Sequence, residues 1–141
     1  QEGMVGAGAA VEFLASLAGD GAIRSGLDNV FRVTHDRNMK LFARLWEALS
    51  KMSRVTLYGP SPDQPRTPTI AFTISGLESS EAARRLAEKG LFLSHGDFYA
   101  ATLVERLGLA DEGLLRAGCG IYTTEEEIDR LIESIAELAA A

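Results

Sequence analysis

From Gly3 to Ala18 the apolar positions Val5, Ala9, Phe13 and Leu17 recur every four residues, with Val11, Leu14 and Ala18 beside them. That spacing predicts a helix, ended by Gly19-Asp20-Gly21. Its small residues (Gly6, Ala7, Gly8, Ala10) allow another backbone to approach closely, and a helix this apolar is expected to be covered by something. A second helical pattern runs without a proline from Ile23 to Met52 through Leu27, Val30, Phe31, Leu41, Phe42, Leu45 and Leu49. A helix that long exceeds the usual globular length of roughly 12 residues and predicts an element that spans two domains or runs along the side of one. Thr34 and Asn38 weaken the stripe midway and mark where a kink would fall.

Beyond Met52 the period changes. Val55-Thr56-Leu57-Tyr58 is β-branched and aromatic and is closed by Gly59-Pro60; Ser61 to Pro68 is a polar, proline-rich loop; Ile70-Ala71-Phe72-Thr73-Ile74 is a second strand ended by Gly76. Ser79 or Ser80 is the expected cap of a helix running to Glu88, with Ala83, Leu86 and Ala87 inward and Gly90 as its left-handed stop. Leu91-Phe92-Leu93 reads as a third strand, Tyr99 to Leu107 as a short helix before Gly108, and Leu114 to Tyr122 as a fourth extended segment. Thr124 and Glu127 form a capping box for a last helix whose stripe is Ile128, Leu131, Ile132, Ile135 and Leu138. The expected fold is α/β in class, an α+β small domain: a small, mostly antiparallel sheet with helices packed on one face, preceded by a long connecting helix.

With 46% hydrophobic and 24% charged residues in 141, the composition is that of a soluble globular domain with one core. A net charge of −6 argues against a nucleic-acid partner, and no apolar run reaches the length of a bilayer span. The apolar stretch after Gln1-Glu2 lacks a basic start, which excludes a signal peptide, and a chain opening on Gln-Glu-Gly suggests a fragment or processed product. Cys119 is the only cysteine, so the default is a reducing cytoplasm without disulfides. Gly6-Ala7-Gly8 lacks a third glycine and a preceding strand, and Gly118-Cys119-Gly120 lacks a following helix, so neither reads as a phosphate loop. His35 and His95 are far apart in sequence; with one cysteine they give no metal set, and His35 reads as a surface residue. Cys119 reads as a small buried hydrophobe.

Arg116 stands out as a lone cation in the apolar run Leu114-Leu115-Arg116-Ala117. A buried guanidinium needs an anion, and its planar fork matches a carboxylate through two parallel hydrogen bonds. Two readings fit: an edge-strand arginine paired with a nearby acid such as Glu112, or a carboxylate receptor.

Leu115-Arg116-Ala117-Gly118-Cys119-Gly120-Ile121-Tyr122-Thr123-Thr124-Glu125-Glu126-Glu127-Ile128-Asp129-Arg130-Leu131 resembles the closing signature of the class V aminotransferase and cysteine desulfurase-like family. Val55 to Pro60 and Thr67 to Phe72 resemble the strands that open that family's small domain. Gly96-Asp97-Phe98-Tyr99-Ala100 is similar to a Gly-x-x-Tyr-Ala loop of a cysteine desulfurase-like branch, and Gly3 to Leu17 to a helix near the cofactor phosphate. The resemblance implies residues 1–21 as a helix left over from a large domain that binds pyridoxal phosphate (PLP), 22–53 as a connecting helix and 54–141 as the small domain. It implies that Arg116 grips the α-carboxylate of an amino-acid substrate. It places His95 and Asp97 in a loop that closes the site, where they either contact substrate or only fasten the turn. It further implies a homodimer.

Two departures qualify the implied chemistry. The loop Ser94 to Tyr99 has no thiol, so desulfuration is doubtful, while transamination or another lyase step stays open. The three lysines, Lys40, Lys51 and Lys89, lie in or at the end of helices and read as solvated, so the PLP lysine is expected outside this chain and the chain alone is expected to be inactive. The alternatives are a stand-alone binding module for a carboxylate ligand and a structural partner of a separate large domain.

Overall fold

The computed structural model describes residues 2–19 and 21–140. In chain order it contains α1 (Glu2–Ser16), α2 (Ile23–Ser50), β1 (Val55–Tyr58), β2 (Thr69–Ile74), α3 (Ser79–Glu88), β3 (Ser94–Gly96), α4 (Ala101–Arg106), β4 (Leu114–Gly118) and α5 (Glu125–Ala140). Asp20, expected to help end the first helix, lies outside the described residues. The chain divides into two compact units, Gln1–Arg37 and Asn38–Ala141, the division falling within α2.

In the first unit, α1 is helical from Glu2 to Ser16, two residues short of the expected Ala18, and only its Ala15 is buried. Met4, Val5 and Phe13 stand in the open.

The second unit is an α+β domain. Its four strands form one antiparallel sheet in the order β1-β2-β4-β3. Strict alternation makes the sheet two-faced: along β2, Ile70, Phe72 and Ile74 are buried while Thr69, Ala71 and Thr73 are not. The register sets Phe72 between Leu57 and Leu115, and Ile70 opposite Ala117. Against that face lie Phe42, Leu45 and Leu49 of α2, Leu86 of α3, and Ile128, Leu131 and Ile135 of α5. Burying each large side chain of this kind contributes about 1.5–3 kcal/mol, and this shared core is what makes the marginal small sheet stable. The opposite face carries Thr56, Tyr58, Thr69, Thr73 and Arg116, and is the polar one.

Asn38, which breaks the apolar stripe of α2, is 3% exposed, and its Nδ2 donates to the Cys119 carbonyl at 3.1 Å. The helix stays helical through Thr34 and Asn38. The capping box of α5 forms as expected: Thr124 N–H donates to Glu127 Oε2 at 2.9 Å, and Glu127 N–H to Thr124 Oγ1 at 3.2 Å. Gly90 closes α3 at φ +74°.

Four details differ from the sequence expectations. The third strand is Ser94–Gly96 and not Leu91–Leu93, because Leu91 N–H turns back to the Leu86 carbonyl at 3.0 Å and Leu91 and Leu93 pack on the core as the exit of α3. The cap position of α3 is Glu78, without a side-chain bond; Ser79 lies inside the helix, and its N–H is satisfied by the Glu112 carbonyl at 3.0 Å. The short helix begins at Ala101 because Phe98 and Tyr99 take positive φ, which a helix cannot include. The fourth strand stops at Gly118, since Gly120 N–H bonds Thr123 Oγ1 at 2.9 Å and the chain turns. Where β3, β4 and α3 converge, Gly113 has φ +63°, and a Cβ there would lie 2.7 Å from Ser79 Oγ and 3.0 Å from Gly96 Cα.

Candidate carboxylate site

Arg116 sits on β4 directly opposite Ala71 of β2 and Ser94 of β3, and Tyr58 of β1 is opposite Ala71 in turn. Directly opposed residues share a face, so Tyr58, Ala71, Arg116 and Ser94 make one row across the polar face of the sheet. Tyr58 is engaged within it, its hydroxyl 3.4 Å from Thr73 Oγ1.

The arginine is exposed, which corrects the expectation of a cation buried in an apolar strand. Leu114 and Leu115 are consecutive and both buried, so the start of β4 is covered on both faces, and that cover ends one residue later. Nor does Glu112 pair with it: among the described residues no ion pair or hydrogen bond uses the Arg116 guanidinium. Its guanidinium carbon lies 4.2 Å from the centroid of the Phe98 ring, an aromatic contact.

Phe98 belongs to the turn after β3. Asp97 Oδ1 accepts from Tyr99 N–H at 3.0 Å and the Asp97 carbonyl accepts from Ala100 N–H at 2.9 Å, an Asx turn that tightens the loop. Phe98 and Tyr99 lie at φ 54° and 61°, the only non-glycine residues with positive φ among those described. Bulky residues seldom adopt this region, and such strain gathers at functional sites.

The three residues singled out from sequence thus take different places. Asp97 braces the turn that carries Phe98 to Arg116. His95 is opposite Leu115 and so projects from the other face of the sheet, exposed at the edge. Phe98 lies within the Gly96–Ala100 loop motif, and nothing in sequence marks an aromatic ring as the seat of a cation eighteen positions away. At the same edge a cleft of about 530 Å³ is lined by Arg116 and Ser94 together with Leu91, Leu93, Cys119 and Tyr122 among others. Cys119 is half-buried there and packs on the core, its N–H bonded to the Pro68 carbonyl at 3.0 Å.

The lysines do not fit a Schiff-base site. Lys40, Lys51 and Lys89 are all exposed, Lys51 is ion-paired with Glu47 and Lys89 with Glu137, and none is held in a dry pocket. Among the described residues no cluster of His, Cys, Asp and Glu could hold a metal ion, and no helix is long and apolar enough to cross a membrane. His35 is exposed on α2, as expected.

The comparisons with known proteins agree with this fold. A probable cysteine desulfurase of Synechocystis sp. is 31% identical over 129 residues, covering 91% of this chain and 27% of that protein. The aminotransferase-like protein FGM3 of Gibberella zeae is 35% identical over 106 residues, covering 71% of this chain and 26% of that protein. The apo cysteine desulfurase of Thermococcus onnurineus NA1 superposes with a TM-score of 0.71 at 24% identity, over 84% of this chain and 30% of that one. The chain therefore spans less than a third of the length of the relatives it matches. The family model described as Aminotransferase class-V matches residues 3–131, nearly the whole chain, and the chain belongs to that family.

Proposed function

We propose that this chain is the small-domain part of a PLP-dependent class V enzyme acting on an amino acid, with Arg116 holding the substrate α-carboxylate. The resemblance to PLP-dependent class V enzymes, and a structural neighbour determined with glycine covalently linked to its PLP cofactor, support PLP in the intact enzyme. The observation that carries the reading is the exposed Arg116 guanidinium, seated on Phe98 with no anion engaged among the described residues. An arginine fork offers two parallel donors to a carboxylate, and fixing that group aims the rest of a small substrate. Asp97 belongs to the turn beside this position and braces Phe98, while His95 lies on β3 and projects from the opposite face of the sheet. The cofactor would supply the electron sink, and its lysine would come from outside these residues, since none of the three here fits.

In this reading residues 1–21 belong structurally to a large domain, 22–53 connect, and 54–141 form the small domain. The exposed apolar side chains of α1, such as Met4, Val5 and Phe13, support a role against a further domain. The intact enzyme is proposed to be a cytoplasmic homodimer, and the 141-residue chain alone to be inactive. Transamination and lyase chemistry both remain within the proposal, because the loop 94–99 supplies no thiol for desulfuration.

The test has two arms. The 141-residue chain incubated with PLP develops no stable visible band, and borohydride traps no adduct on a specific lysine. When the chain is joined to a lysine-bearing large domain, Arg116→Ala raises KM for the amino acid while amine-only analogues are unaffected. A specific trapped lysine in the lone chain, or an Arg116→Ala enzyme with unchanged KM, sinks the reading.

A further inference from the structure

We propose that Phe98 is a positioning residue, an aromatic seat that pre-sets the Arg116 guanidinium for a carboxylate, with Asp97 as the brace of that seat. The inference rests on the reading of Arg116 as a carboxylate receptor. Three observations converge on it. First, the guanidinium carbon lies 4.2 Å from the Phe98 ring centroid, within reach of a cation–π attraction. Second, Phe98 is half-buried but stands outside the hydrophobic core cluster, so its ring is not accounted for by packing in the domain interior. Third, the backbone that delivers the ring is held in a costly conformation, φ 54° at Phe98 and 61° at Tyr99, and Asp97 Oδ1 clamps it by accepting from Tyr99 N–H at 3.0 Å.

The consequence for binding follows from entropy and geometry. An exposed arginine on a flexible stem loses rotamer freedom when it grips a ligand, and a ring against the guanidinium takes up part of that loss beforehand. A ring face engages the cation's charge, leaving the in-plane N–H groups available, and among the described residues no hydrogen bond consumes those of Arg116. Asp97 acts at one remove: its carboxylate already serves the turn, so it positions Phe98 and not the ligand.

The experiment uses the 141-residue chain labelled with ¹⁵N, with acetate as the carboxylate probe. The side-chain Nε–H resonance of Arg116 is followed for ring-current shift, for order on the fast timescale, and through an acetate titration. Arg106, exposed on α4 and unpaired among the described residues, is the internal control for non-specific pairing. In the wild type, Arg116 is expected to be ordered, shifted upfield and saturated at lower acetate than Arg106. Phe98→Leu is expected to lose the shift and the order and to bind acetate roughly two- to fivefold more weakly, while Phe98→Tyr keeps all three. Asp97→Ala should move the same readouts in the same direction with the ring still present, and it carries the test should Phe98→Leu not fold. Unchanged order and acetate affinity in Phe98→Leu, or in Asp97→Ala where that variant stands in, overturn the seat while leaving Arg116 as the receptor. An Arg116 that takes acetate no better than Arg106 overturns the receptor reading, and the seat's function with it.

Discussion

The guanidinium carbon of Arg66 lies 4.2 Å from the ring centroid of Phe42 and 5.2 Å from that of Trp46, staking the loop between β1 and β2 to α2. The same side chain donates from Nε to the Thr67 carbonyl and from Nη2 to the Thr69 carbonyl. Burial lowers its pKa from the ordinary arginine value, the mark of a cation drawn partly out of water. Arg66→Ala is expected to cost about 1–3 kcal/mol, the loss of a part-desolvated cation–π contact and two carbonyl hydrogen bonds being offset in part by release of the buried Nη1, which has no hydrogen-bond partner among the described residues. Arg66→Lys, lacking the planar fork, restores only part of it. The urea midpoint of unfolding measures both, and a wild-type midpoint in Arg66→Ala removes the loop's anchor from this account.

At the start of α5 the reciprocal bonds between Thr124 and Glu127 satisfy two backbone N–H groups that the helix cannot. Thr124→Ala is expected to destabilise by about 1 kcal/mol and Thr124→Ser by a few tenths at most. Since Ile128, Leu131 and Ile135 of this helix lie in the core, the loss should appear in global unfolding and not as local fraying alone. Thermal melts of the three proteins settle the point.

Hydrogen bonds from Arg84 and Arg85 hold the Glu81 carboxyl at a pKa of about 2, against an ordinary value of 4.5. A pKa lowered by folding means that the carboxylate's contribution is complete above pH 4.5 and is lost as pH falls from there toward about 2. Glu81→Gln is therefore expected to be less stable than wild type near neutral pH, with the gap closing across that acid window. High salt should narrow the gap as well, because the network is at the surface. Parallel melts across the window check the sign: a gap that widens on acidification contradicts it.

Arg116→Ala should leave the fold alone. The residue is exposed and makes no ion pair or hydrogen bond among those described, so its removal is expected to cost no more than its exposed cation–π contact with Phe98, about 0.5–1 kcal/mol. Its effect on a carboxylate ligand should be far larger: losing a charge-assisted pair worth about 1.5–3 kcal/mol weakens binding by roughly tenfold to over a hundredfold. The two measurements, an unfolding midpoint and KM in the intact enzyme, separate a residue kept for recognition from one kept for structure.

Features written locally were legible in the sequence. The α2 and α5 stripes, the β1 and β2 segments and the Thr124–Glu127 cap depend on neighbours within a few positions, and each formed where the pattern put it. The family signature across Arg116 to Leu131 was legible for the same reason. What failed depended on distant partners. Leu91-Phe92-Leu93 is apolar enough for a strand, yet two of the three face the core from an unpaired exit and Phe92 is 85% exposed. Arg116 reads as buried because Leu114 and Leu115 precede it, and only the sheet's extent decides that the cover stops first. The Phe98 contact arises from a backbone turn that no periodicity encodes.

Gly113 gives the arginine-bearing edge a mechanical character. With no space there for even a methyl group, the backbone at the entry to β4 is pressed against both Ser79 of α3 and Gly96 of β3. Any larger residue would have to push one of those two elements away, and the strand that carries Arg116 would shift with it.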